Sequence, residues 1–105
     1  KQQLDNLVCI VDNNQSQIRS LPTSDLVSKF KSFDWNVIEV DGHNHIQLLN
    51  ALYSASSFKI KPTVIVANTI KGKGITDIEN DMFAWHHRAP NESEYKKFMK
   101  ELDEK

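Results

Sequence analysis

LVCIV, residues 7–11, sets five apolar side chains in a row, three of them β-branched. A run this short, with no polar alternation, reads as a strand covered on both faces, the habit of a parallel sheet. Working outward from it, the hydrophobic period changes in a regular order. Asp25 to Phe33 places Leu26, Val27, Phe30 and Phe33 at helical spacing, after start signals at Pro22, Thr23 and Ser24. WNVIEV, residues 35–40, is a second strand, closed by Asp41 and Gly42. Ile46, Leu49, Leu52 and Tyr53 form another helical stripe, with Asn44 and Gln47 as its capping box. Pro62 introduces a third strand, TVIVANT, residues 63–69. Asn91 with Glu94 caps a last helix whose apolar face is Tyr95, Phe98, Met99 and Leu102. The three helical stripes are expected to be core.

Strands alternating with helices imply parallel pairing through right-handed crossovers, a layered α/β structure with helices on the sheet. Three strands alone leave two edges of unpaired N–H and C=O groups. KQQLD, residues 1–5, reads as the last turn of a helix whose body lies upstream. The chain is therefore expected to be part of a larger sheet, completed by a longer protein or by a partner.

Composition narrows the function. With 105 residues and 39% hydrophobic content there is material for one small domain. Thirteen basic against fourteen acidic side chains give a net charge of −1, which offers no field for nucleic acid and no polybasic patch for a membrane. Cys9 has no mate, which argues against a disulfide framework and for a reducing compartment, the cytoplasm by default. KQQLDN is too polar for a signal peptide, and no apolar run approaches a membrane span.

Open parallel sheets bind ligands at the carboxyl ends of their strands. Those ends are Asp12–Ser20, Asp41–Asn44 and Ile70–Pro90, and the last is far longer than the ~4–6 residues usual for such connections. The amide cluster DNNQSQ, residues 12–17, offers hard oxygen ligands to Mg²⁺ or Ca²⁺; the plainer reading is an Asx-rich turn. Lys71-Gly72-Lys73-Gly74 would let backbone and ammonium groups approach a phosphate, or is an exposed basic turn; it is not a Walker A loop, and the chain has no GxGxxG. Trp85-His86-His87-Arg88 joins an aromatic ring to groups that donate to phosphate or sugar oxygens, or is a surface loop with Trp85 packed inward. His43 and His45 have H-x-H spacing for zinc, with the helix-capping reading of that stretch ahead because no further close ligands complete a tetrahedron. Cys9 reads as a small core residue.

Together the order and spacing of these motifs are specific. LDNLVCIVDNN (4–14), FDWNVIEVDGHN (33–44), KPTVIVANTIKGKGITDIEN (61–80) and WHHRAPNESEY (85–95) give a sequence that resembles the later half of the thiamine-diphosphate-binding amino-terminal domain of transketolase. The resemblance implies a three-layer α/β/α fold with a parallel sheet, only part of which lies in this chain. It implies thiamine diphosphate and Mg²⁺ as cofactors of the complete enzyme. The family's metal motif opens with Gly-Asp-Gly and closes with an asparagine after a strand, and only the closing half is here. On that correspondence Asn14 and the backbone carbonyl of Ser16 are metal ligands, and Asn14, Lys71 and His86 bind the cofactor. His86 is also the catalytic candidate, between the diphosphate and the sugar; Arg88 corresponds more loosely to a position that is basic in some relatives.

The activity so implied is transfer of a two-carbon ketol unit between sugar phosphates, as in the pentose phosphate pathway. The implied partners are the sugar phosphate substrates, the remainder of the diphosphate-binding domain and the pyrimidine-binding domain, in a homodimer or an assembly of split subunits. The chain departs from the family pattern at His87, where glycine is usual, and at Arg19 and Ser20, where Asp-Gly often stands. Lacking the Gly-Asp-Gly aspartate and the pyrimidine-binding domain, these residues alone are expected neither to hold the cofactor tightly nor to turn over substrate. A non-catalytic scaffold that kept the fold, and a piece of a related ketol transferase such as deoxyxylulose-phosphate synthase, are the competing readings.

Overall fold

A computed structural model describes residues 4–19 and 25–105. Pro22, Thr23 and Ser24, Ser20, and the first three residues of KQQLD lie outside the described residues. The elements run β1 (Val8–Asn13), α1 (Leu26–Ser32), β2 (Asn36–Asp41), α2 (His45–Ser57), β3 (Thr63–Asn68), α3 (Thr76–Asn80) and α4 (Glu92–Asp103).

The three strands form a parallel sheet in the order β1-β3-β2. The last strand in sequence is thus the central one, and its run TVIVA is buried from end to end. This corrects the expectation for residues 7–11. β1 is an edge strand, begins one residue later and runs two residues into the amide cluster, and its side chains alternate between exposed and half-buried. Ile10 is 59% exposed, because the helices pack over β2 and β3 and leave that face of β1 open. Cys9 is half-buried rather than core.

The core lies between α2 and the sheet, where Ala51 and Ala55 of the helix meet Val40, Ile65 and Ala67, flanked by Ile38 and Leu48. Small alanine side chains let the helix backbone approach the strands closely. The expected α2 stripe is therefore on the wrong side: Ile46, Leu49, Leu52 and Tyr53 are all exposed, Tyr53 at 66%. A three-stranded sheet covers only one side of the helix. The same holds for α4, where Phe98 is buried but Tyr95, Met99 and Leu102 are exposed, and at the C-cap of α1, where Phe33 is exposed.

The caps show which sequence signals acted. Asn91 and Glu94 make the full capping box of α4, each side chain bonding the other's backbone N–H. Asn44 caps α2 by accepting from the N–H of Ile46 and Gln47, both at 3.1 Å. Gln47 does not return the bond to Asn44; its side-chain oxygen accepts from Asp41 N–H at 2.9 Å and closes the end of β2 instead. Asp25 caps α1, accepting from Ser28 N–H.

Beyond β3 the chain folds as an arm. Phe98 of α4 meets Trp85 edge to face, Lys97 pairs with Asp77, and Glu101 accepts from both the N–H and the hydroxyl of Thr76. The radius of gyration is 17.1 Å, against about 13 Å for a compact domain of this length.

Candidate functional site

Parallel pairing brings the ends of all three strands to one edge of the sheet, with Asn13, Asn68 and Asp41 in register. The loops that leave this edge carry every residue singled out from the sequence for cofactor chemistry. Amide side chains tie the edge together. Asn68 donates to Glu39 Oε1 at 2.9 Å, Asn13 donates to Asn68 Oδ1 at 2.7 Å, and Gln15 donates to Asn13 Oδ1 at 2.9 Å. Asp12 accepts from the Thr69 hydroxyl, joining β1 to the exit of β3.

After β1 the chain turns without glycine. Asn14 Oδ1 accepts from Ser16 N–H at 3.0 Å, and Gln15 takes φ of 62°. This is an Asx turn, the plainer of the two readings of the cluster. It is compatible with the other, because an amide oxygen has two lone pairs and the turn uses one. A cleft of about 250 Å³ opens beside it, lined by residues 11–17 and Leu26.

After β3, Gly72 and Gly74 take φ of 75° and 103°, which bends residues 70–75 tightly. A Cβ on Gly72 would stand 2.0 Å from Ile78 Cγ2, so the turn is seated on α3. Gly74 N–H donates to Glu79 Oε1 at 2.7 Å. Lys71 reaches from this turn to His86, its Nζ 3.0 Å from Nδ1. The Lys71 ammonium, and then His87, hold the His86 imidazole below its ordinary pKa. His86 N–H donates to the Phe83 carbonyl, and the Phe83 ring lies under the Arg19 guanidinium at 3.7 Å. Arg19 therefore links the amide loop to the loop that carries His86.

Lys71 and His86 are thus brought together, as are Asn14 and Ser16, and neither Lys71 nor His86 lines the cleft beside Asn14. Arg88 is engaged elsewhere, in an ion pair with Glu94 and over the Trp85 ring at 3.9 Å. The H-x-H pair does not form a metal site: His43 Nε2 accepts from Ile70 N–H at 2.8 Å, and no group of three His, Cys, Asp or Glu among the described residues could hold a metal ion. The sequence reading missed the roles of His43 and Phe83. A histidine beside a helix cap gives no signal of a partner 27 residues away.

The donor set suits a diphosphate with a divalent cation: neutral amide and carbonyl oxygens on one loop, an ammonium and an imidazole N–H on the next. It supplies only part of such a cation's shell.

Comparison with known proteins gives the family and the fold. Residues 1–103 match the family described as transketolase, thiamine diphosphate binding domain. The chain is 32% identical to one of the subunits of apulose-4-phosphate transketolase from Phocaeicola vulgatus, over 97% of this chain and 38% of that protein. It is 34% identical to a 6-deoxy-6-sulfo-D-fructose transketolase subunit of a Clostridium species, over 95% of this chain and 38% of that protein. In fold it is similar to a transketolase mutant from Pichia stipitis, with a TM-score of 0.64 and 22% identity, over 97% of this chain and 19% of that one. The chain thus spans less than two fifths of the curated subunits it matches.

Proposed function

This chain belongs to the transketolase family through its thiamine diphosphate binding domain, and on that premise we propose that it forms the diphosphate-holding part of an enzyme that transfers a two-carbon ketol unit between sugar phosphates. The observation that carries the reading is the Lys71–His86 pair, 3.0 Å apart beyond the carboxyl end of β3, the strand next to β1, whose exit carries Asn14. A cation and a neutral imidazole side by side suit the border between a diphosphate and a sugar.

The residues divide the work by chemistry. Asn14 Oδ1 and the Ser16 carbonyl are hard oxygen donors that would hold Mg²⁺. Lys71 would offset diphosphate charge, as a mobile point charge able to serve both His86 and a phosphate oxygen. When Lys71 donates to Nδ1, neutral His86 carries its proton on Nε2, which is then a donor for a sugar oxygen as negative charge develops on it. Thiamine diphosphate, when bound, supplies the electron sink that carbon–carbon bond cleavage requires. No nucleophile from the protein is called for.

The rest of the active site lies outside this chain. Two of the relatives are described as transketolase subunits, and this supports assembly with a partner that brings the pyrimidine-binding domain and further strands. A homodimer of such units, in the cytoplasm, is the form in which we place it. The test is calorimetric titration of thiamine diphosphate with Mg²⁺ into the chain alone and into its assembly with the complementary segments. Saturable binding in the assembly that is lost on Asn14→Ala is expected. An assembled complex that binds nothing would overturn the reading in favour of a scaffold.

A further inference from the structure

We propose that His43 is a positioning residue for Lys71, holding the start of the 70–75 turn through a side chain to backbone hydrogen bond. The proposal rests on the reading of Lys71 as a cofactor-contacting residue, and adds to it the group that sets where Lys71 stands.

Ile70 is where the chain leaves β3, past the end of the ladder, and its N–H has no strand to bond. His43 supplies the acceptor, with Nε2 at 2.8 Å. Because Ile70 N–H is the donor, Nε2 carries no proton, and the neutral ring is protonated on Nδ1. His43 is itself fixed to the same strand exit. Its N–H donates to Asp41 Oδ1 at 2.9 Å, and the preceding Gly42 N–H donates to the Asn68 carbonyl at 2.7 Å. Gly42 lies so close that a Cβ there would stand 2.4 Å from Thr69 Cγ2. Gly42 and His43 thus bracket Thr69, one bonding the residue before it and the other the residue after it.

The turn propagates from that point. Lys73 N–H donates to the Ile70 carbonyl and Ile75 N–H to the Gly72 carbonyl, so the placement of Ile70 sets the frame on which Lys71 projects. Both His43 and Ile70 are exposed, so a freed Ile70 N–H could bond water instead. The bond therefore contributes little to global stability and acts chiefly on where the turn sits.

The test uses the chain as it is, without cofactor, and reads two quantities by NMR: exchange of the Ile70 amide and the titration midpoint of His86. The titratable groups to be followed alongside are Lys71 and His87 beside His86, Asp41, which accepts from His43 N–H, and Asp12, which bonds Thr69. His43→Leu is expected to speed Ile70 exchange about fivefold, the factor one ordinary net hydrogen bond supports, and to raise the His86 midpoint as Lys71 drifts away. His43→Gln, whose carboxamide oxygen can stand where Nε2 does, is expected to restore both. A His86 midpoint indifferent to His43→Leu overturns the proposal, even where exchange responds, since a merely structural bond would do that much. Should His43→Leu lose its helical circular dichroism, His43→Ala takes its place with the same two readouts: a raised His86 midpoint supports the proposal, and an unchanged one overturns it. Neither readout involves thiamine diphosphate, so failure of cofactor binding in the assembly would strike the functional reading alone.

Discussion

Nζ of Lys71 stands 3.0 Å from Nδ1 of His86, a cation donating to a ring that must stay neutral to accept. Lys71→Met is expected to raise the His86 midpoint toward the ordinary imidazole value of about 6.5, followed through the ring carbon signals by NMR. In the wild-type chain the folded midpoint is depressed, so the unfolded chain binds the proton more readily. This contribution to stability is present above the unfolded value and is lost as pH falls through the folded one. An unchanged midpoint in Lys71→Met would place Lys71 away from His86 in solution.

The Asx turn at Asn14 separates two roles of one side chain. Asn14→Ala removes the acceptor for Ser16 N–H and is expected to speed exchange of that amide. Asn14→Asp keeps an acceptor oxygen and is expected to hold the turn. Exchange at Ser16 that is the same in all three chains would show that Gln15 holds its left-handed conformation unaided.

Arg19 over Phe83 joins the amide loop to the turn of His86. An exposed cation–π contact of this kind is worth ~0.5–1 kcal/mol. Arg19→Ala should therefore leave β3 amide protection intact and increase exchange at His86 N–H, whose acceptor is the Phe83 carbonyl. Equal loosening of β3 would mean the contact supports the whole sheet.

Gly42 has no room for a side chain. The Thr69 methyl in its way can rotate, but the Asn68 carbonyl oxygen, 3.0 Å from a Cβ, is held by Gly42 N–H. Gly42→Ala is expected to destabilise the chain by ~1–3 kcal/mol, the usual effect of overpacking, read as a lower urea midpoint.

Acid should release α4 ahead of the sheet. The Arg88 side chain, and then Asn91 N–H, hold the Glu94 carboxyl below its ordinary pKa, and the Thr76 hydroxyl and N–H do the same for Glu101. Both depressed carboxylates stabilise the fold above their unfolded values and cease to do so as pH falls through the folded ones. The Trp85 indole signal, which reports contact with Phe98, is expected to shift before the β3 amides lose protection. A simultaneous change would make the arm and sheet one cooperative unit.

What could be read in the sequence was local. The capping box at Asn91 and Glu94, the strand at 63–68 and the parallel pairing follow from signals a few residues long. Burial did not follow, because it depends on neighbours: LVCIV has the pattern of a central strand yet lies at an edge, and Ile46, Leu49, Leu52 and Tyr53 form a proper stripe that faces no partner within this chain. Of the site, Lys71 and His86 were found through family resemblance, and the structure sets them side by side. The bond from Ile70 to His43 spans two loops and leaves no mark on either.

The side chains of Val8, Ile10, Ile46, Leu49 and Tyr53 are already hydrated in the folded chain. Melting therefore wets less new hydrocarbon than in a compact domain, and the heat capacity increment should fall below the usual ~12–15 cal/mol/K per residue. The chain should have a flat stability curve and a shallow urea dependence. A partner that covered those side chains would return the missing heat capacity as a negative change on binding.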